Sequence, residues 1–169
     1  LVVTEIAVAD EIAAAADLFR TLYPTHAVPS TPALPGVVEA LAAVRAQHGR
    51  ILLVTGKYEP NAQLHVDRLG LDVDSVHGWV WGEAKGAVLR EHGASIYVGD
   101  HVHDVEGARA AGAVSVSVLT GGCTREELLE AGTEVRLALP SHVEALRLYA
   151  VPAEGPDLVA TARPNGRRG

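Results

Sequence analysis

Ile96-Tyr97-Val98-Gly99-Asp100-His101-Val102-His103-Asp104 sets a short apolar run directly before a Gly-Asp step, with a second aspartate four residues further on. Ile96 to Val98 read as a buried strand, Gly99 permits a tight exit, and Val102 to Ala111 read as an Ala-rich helix closed by Gly112. Asp100 then stands at a strand's carboxyl end, where open parallel sheets bind ligands. With the helix starting near His101, Asp104 lies in its first turn and can face the same spot. Two carboxylates held that close repel unless a cation neutralises them. The pair fits a hard ion such as Mg²⁺, which keeps several waters and takes carboxylate and phosphate oxygens. The competing reading is plainer: both aspartates cap the helix and offset its dipole.

The chain has 169 residues, 48% of them apolar, which suits about one domain with an ample core. Lys plus Arg total 14 against 21 Asp plus Glu, a formal charge of −7, which argues against a sequence-independent grip on nucleic acid. The lone Cys123 has no internal disulfide partner, in keeping with a reducing compartment. No apolar run approaches the roughly 20 residues needed to cross a bilayer. Residues 1–20 lack a basic stretch followed by an apolar one, so the chain reads as cytoplasmic, neither secreted nor attached to a membrane. It contains no methionine, and a segment upstream of Leu1 is expected.

Outward from the central motif, strands and helices alternate. Residues 10–23 form a helix with Ile12, Leu18, Phe19 and Leu22 toward one side, ended by Pro24. Pro24, Pro29, Pro32 and Pro35 mark a loop over 24–35, and Pro35-Gly36 opens a helix to about Gln47. There follow a strand at 50–54, a helix at 60–69, a turn-rich segment at 70–82 and a helix at 83–92. After the strand at 95–98 and the helix at 102–111 come a strand at 114–119, a helix at 124–131, a short strand at 135–138 and a helix at 141–149. This alternation predicts an α/β fold with a doubly wound, Rossmann-like parallel sheet. Residues 151–169 read as a disordered tail.

Strand Ile51 to Val54 ends in Thr55-Gly56-Lys57, so a hydroxyl and backbone N–H groups emerge at the same sheet edge as Asp100 and can hold phosphate. Taken alone, Thr55 is equally a turn or cap residue. Lys85 opens the helix preceding the Asp100 strand. A cation there can neutralise a phosphoryl group and keep nearby carboxylates ionised, although most lysines are simply solvated.

Together, Val54-Thr55-Gly56, Lys85 and Gly99-Asp100-His101-Val102-His103-Asp104 resemble, in order and spacing, the haloacid dehalogenase superfamily and its phosphoglycolate-phosphatase-like branch. The resemblance runs over residues 1–149 and is strongest over 50–120. It implies a Mg²⁺-dependent phosphohydrolase acting on a small phosphorylated metabolite, phosphoglycolate by branch, in which an aspartate attacks the phosphoryl group and water cleaves the resulting aspartyl-phosphate. By position, Thr55 and Gly56 would bind phosphoryl oxygens, Lys85 would stabilise the phosphoryl group and nucleophile, and Asp100 would hold Mg²⁺. Asp104 would be a further acidic ligand or support the first. Lys57, beside Thr55, could touch substrate. On this reading residues 1–32 are part of a helical cap, 33–150 the haloacid-dehalogenase-like core and 151–169 a tail.

One departure is serious. The family's first motif, Asp-x-Asp-x-Thr or Val after the first strand, supplies nucleophile and general acid, and this chain lacks it. Asp10 and Asp17 are the only aspartates before Thr55, and both sit on or near a helix. The first strand's slot is left empty or filled otherwise, for example by Leu1 to Val8. The chain as given is therefore expected to turn over little substrate, and a degenerate phosphate-binding or protein-interaction module is the alternative. A receiver domain of the response-regulator kind would present its acidic pair before the threonine and lysine, opposite to the order here. No G-x-G-x-x-G supports a dinucleotide site. His101 and His103 could bind zinc, though oxygen-rich surroundings favour a hard ion. Trp79 and Trp81 read as core residues or a cover over the site, and Cys123 as inert. Oligomeric state is not legible.

Overall fold

Short apolar runs alternating with helix-length segments fold into parallel βα units over residues 9–137, the part that the computed structural model describes. In chain order these are α1 (Ala9–His26), α2 (Val37–Arg45), β1 (Leu52–Val54), α3 (Glu59–Leu69), β2 (Ser75–His77), α4 (Glu83–Glu91), β3 (Ile96–Gly99), α5 (Val102–Ala111), β4 (Val114–Val118), α6 (Arg125–Glu130) and β5 (Val135–Leu137). The readings of Leu1 to Val8 as a strand, of a helix at 141–149 and of a tail at 151–169 lie outside the described residues.

Every strand pair is parallel, and helices supply the crossovers that parallel neighbours require. The strands form two ladders, β1-β2 and β3-β4-β5, with no backbone ladder between β1 and β3. A shared core joins them: Val54, Val80 and Leu89 are buried together, with Leu52, Val88 and Tyr97 packed against them. The Tyr97 hydroxyl also reaches the Val54 carbonyl, 3.3 Å away.

Two sequence expectations need correction. The segment 70–82, expected as turns, contains β2, whose register Leu52↔Ser75 to Val54↔His77 extends the β1 edge. Ser-Val-His is too short and too polar to show periodicity, and pairing with β1 is what makes it a strand. Helix α1 does not stop at Pro24 but runs to His26. Proline removes one intrahelical bond near the C-terminus, and the Thr25 and Ser30 hydroxyls donate to the carbonyls of Leu22 and His26 there. The proline loop is also tied down, because the Arg68 guanidinium donates to the Pro29 and Thr31 carbonyls.

The face of α1 carrying Ile12, Leu18, Phe19 and Leu22 is at least 45% exposed. Docking on α3 runs through Tyr23, whose hydroxyl meets His65 Nε2 at 2.9 Å. His65 Nδ1 is buried without a hydrogen-bond partner. Among the described residues no helix is long and apolar enough to cross a membrane.

The two helices nearest the central motif cross at small residues. A Cβ on Gly86 of α4 would lie 2.8 Å from Ala110 Cβ and 3.0 Å from the Gly107 carbonyl oxygen of α5. Behind this crossing Val105 and Ala108 are fully buried.

Gly86→Ala should therefore destabilise the protein by about 1–3 kcal/mol through overpacking, against the ~1 kcal/mol gain that helix propensity alone would give. Urea unfolding checks this, and a stabilised variant would mean that α4 and α5 are free to separate. A second expectation concerns pH. Burial, reinforced by the charges of Lys57 and Arg68, holds the His65 imidazole below its ordinary range. The unfolded chain, titrating near ~6.5, then takes up its proton first, so this contribution is complete above that pH and is lost as pH falls toward the depressed folded value. Between pH 7 and 5 the melting temperature should fall more steeply for the wild type than for His65→Gln; equal slopes would refute it.

Candidate active site

The central motif closes on itself through Asp104. As the third residue of α5, its Oδ2 accepts the backbone N–H groups of Asp100 and His101, each at 3.1 Å. The His101 Nδ1 accepts from the His103 N–H at 3.2 Å, which completes a capping box with histidine in the cap position. This geometry requires glycine before it: a Cβ on Gly99 would lie 2.3 Å from Asp104 Cβ.

The other oxygen of Asp104 faces inward. Oδ1 accepts from Lys85 Nζ at 2.6 Å and from the Tyr97 hydroxyl at 3.1 Å. Lys85 reaches it because α4 and α5 cross so closely, and the side chains of this ion pair are only 15% and 9% exposed. Burial first, then the Asp104 charge, pushes the Tyr97 phenol well above its ordinary range, so it remains a protonated donor. Its single proton is shared between Asp104 and the Val54 carbonyl.

Asp100 is arranged differently. It is half-buried, and its Oδ2 accepts from the Thr120 hydroxyl at 2.9 Å, while among the described residues no donor reaches Oδ1. Thr55, at the end of β1, accepts the Lys57 N–H on its hydroxyl oxygen at 3.2 Å, which leaves the hydroxyl proton to donate. These side chains face one open cavity of about 290 Å³, lined by Thr55, Lys85, Tyr97, Asp100 and Asp104 among others.

Four of the residues singled out in the sequence, Thr55, Lys85, Asp100 and Asp104, thus meet at one cavity. Gly56 does not line it and instead lies against the indole of Trp81. Lys57 is exposed and donates to the Tyr23 hydroxyl. Trp79 and Trp81 are each 54% exposed and so are not core residues. His101 and His103 are exposed, the latter pairing with Glu106 at 2.9 Å. Among the described residues no three His, Cys, Asp or Glu side chains form a metal-holding group.

Tyr97 and Thr120 are the site residues that the sequence reading passed over. Thr120 was accessible to the rule already applied to Thr55 and Asp100, since it follows the carboxyl end of β4. Tyr97, a hydroxyl-bearing ring inside an apolar strand, was the other available signal.

A family model for haloacid dehalogenase-like hydrolases matches residues 3–109, more than half of the chain, and a second, HAD-hydrolase-like, matches 79–145. No curated protein matches. Among solved structures, a haloacid dehalogenase-like family hydrolase from Streptococcus pneumoniae is 19% identical with a TM-score of 0.68, over 85% of this chain and 72% of that one. A predicted phosphoglycolate phosphatase from Haemophilus somnus is 21% identical with a TM-score of 0.67, over 78% of this chain and 64% of that one. A HAD family hydrolase from Deinococcus radiodurans, solved with bound phosphate and sodium, is 19% identical with a TM-score of 0.59, over 83% and 67%. These likenesses show the fold. The chain spans 64% of the length of the Haemophilus protein.

Because Lys85 and Asp104 are both largely buried, Asp104→Asn leaves an uncompensated ammonium and should cost about 3 kcal/mol or more. Adding Lys85→Met should recover part of that loss. Chemical denaturation of the two single variants and the double variant checks the coupling, and additive losses would dissolve the pair as a unit.

Proposed function

The chain belongs to the haloacid dehalogenase-like hydrolases, and from that footing we propose that its cavity binds the phosphoryl group of a small phosphorylated metabolite, as part of a Mg²⁺-dependent phosphohydrolase. The observation that carries this reading is the gathering of a hydroxyl, an ammonium and two carboxylates at the sheet's carboxyl edge. Thr55 donates its hydroxyl proton to a phosphoryl oxygen, and the Lys85 ammonium, fixed by Asp104, offers its remaining N–H groups and its charge.

The charges of the site support the metal. Lys85 balances one of its two carboxylates, so the cavity is anionic before any phosphate arrives, and a phosphate dianion would be repelled without a divalent cation. Asp104 already receives four hydrogen bonds, as many as a carboxylate's lone pairs take. Asp100 keeps an oxygen open and is the residue we assign to holding Mg²⁺, with Asp104 as the support that aims Lys85 and the Asp100 backbone. When bound, the ion neutralises charge on the phosphoryl oxygens.

Among the described residues Asp100 and Asp104 are the acidic side chains lining the cavity. Asp17, one of the two upstream aspartates, is instead paired with Arg20 on the exposed surface of α1. With Asp104 saturated and Asp100 on the metal, no further carboxylate among the described residues lines the cavity to attack phosphorus. A phosphate-binding role without turnover is thus the second reading, favoured by that lining.

Calorimetry with inorganic phosphate and Mg²⁺ should show binding that weakens about tenfold or more in Lys85→Ala and Thr55→Val, and that vanishes on chelation. Purified protein should hydrolyse p-nitrophenyl phosphate negligibly. Robust turnover abolished by Asp100→Asn would refute the missing carboxylate, and the absence of phosphate binding would refute the site.

A further inference from the structure

Beside Thr55 the protein exposes an aromatic cluster that the phosphoryl site does not use. The segment following β2 zips onto the residues following β1: the Thr55 N–H donates to the His77 carbonyl (2.9 Å), Val80 N–H to Thr55 (3.0 Å) and Trp79 N–H to Lys57 (2.9 Å). This arm lays the Trp81 indole on Gly56, so closely that a Cβ there would fall 2.2 Å from Trp81 Nε1. Trp79 meets Trp81 edge-on, with ring centroids 5.1 Å apart at 74°, and Tyr58 meets Trp79 likewise at 5.9 Å and 77°. Both indoles are 54% exposed.

Three features set this cluster apart from ordinary surface packing. Trp79 adopts φ +57°, a left-handed conformation that bulky residues avoid and that concentrates at functional sites. The surface left open by two half-exposed indoles is on the order of 250 Å², far below the ~800 Å² per partner of a stable protein interface but matched to one planar ring. A cation rims it: the Arg20 guanidinium lies 5.6 Å from the Tyr58 ring centroid.

We propose that Trp81 and Trp79 form a stacking platform for an aromatic ring on the substrate, so that the site takes phosphate monoesters of ring-bearing alcohols, with a nucleoside monophosphate as the class that fits. The inference rests on the phosphoryl-binding reading above. Because the indole is seated on the residue next to Thr55, a phosphate held by the hydroxyl leaves its esterified alcohol at the platform. An aliphatic metabolite of phosphoglycolate size would leave both indoles wet.

The test compares AMP, ribose 5-phosphate and inorganic phosphate by calorimetry in the presence of Mg²⁺. AMP should bind ~tenfold or more tightly than ribose 5-phosphate, the range expected of base-on-aromatic stacking. Trp79 and Trp81 are the chain's two tryptophans, so AMP should also quench intrinsic fluorescence, which ribose 5-phosphate should leave unchanged. Trp81→Leu should erase the preference without weakening inorganic phosphate, Trp81→Phe should retain most of it, and Lys85→Ala should weaken all three ligands together. If phosphate and ribose 5-phosphate bind but AMP binds no better, the platform is overturned and the phosphoryl site stands. If none binds, both readings fall. If Trp81→Leu lowers the melting temperature while the AMP preference persists, the indoles are packing residues and the platform is overturned.

Discussion

The carboxylate of Asp104 is the constraint on which the rest of the site depends. Its four donors come from three places: Lys85 in α4, Tyr97 in β3, and the backbone of Asp100 and His101 in the turn between β3 and α5. One side chain thus fixes the helix cap, the exit of the strand and the position of the cation. Each donor needs the others in place, because a buried carboxylate with an unmet lone pair, or a buried ammonium without its counter-charge, is costly. The small residues at the α4–α5 crossing follow from the same requirement. Lys85 lies one residue before Gly86, and a wider crossing would draw its ammonium out of reach.

Tyr97 extends this constraint across the divided sheet. β1 and β3 share no ladder, yet both bring site residues to the same cavity, so something other than strand pairing holds their ends in register. The Tyr97 ring packs against the buried cluster of Val54, Val80 and Leu89, and its hydroxyl lies between the Val54 carbonyl and Asp104. A phenol kept protonated by burial and by the adjacent carboxylate supplies that link without adding a charge. Thr55, the residue after Val54, is thereby positioned relative to Asp104 through side-chain packing rather than through backbone hydrogen bonds.

Much of this was legible in the sequence, for identifiable reasons. α5 begins and ends where Asp104 and Gly112 imply, since capping chemistry is local. The convergence of Thr55 and Asp100 follows from the rule that parallel strands present their ligands at one edge. β2 was hidden because its three residues carry no alternation of their own, and Pro24 misled because a proline so near a helix end forfeits a single intrahelical bond, which lets the helix run on to His26. The exposure of Trp79 and Trp81 was equally illegible. Spacing by two says that the rings lie on one side of an extended arm, but not whether that side faces the core, and Val80 between them is the residue that is buried.

The two aspartates show why residue type alone left the plain and the chemical readings of the motif evenly matched. The fold treats the two differently. Asp104 caps α5 with one oxygen and anchors Lys85 with the other, which makes it the cap the bland reading described and also the reason the ammonium points inward. Asp100, one residue past the strand, takes the Thr120 hydroxyl alone among the described donors, and lines the cavity with its second oxygen unpaired by them. Direction decides this difference: a residue at the third helical position turns back toward the backbone N–H groups of the cap, whereas a residue just before the cap turns outward from the sheet edge. Identical side chains four residues apart therefore differ in how much coordinating capacity the fold leaves them, and the less satisfied of the two is the one with an oxygen available to a ligand.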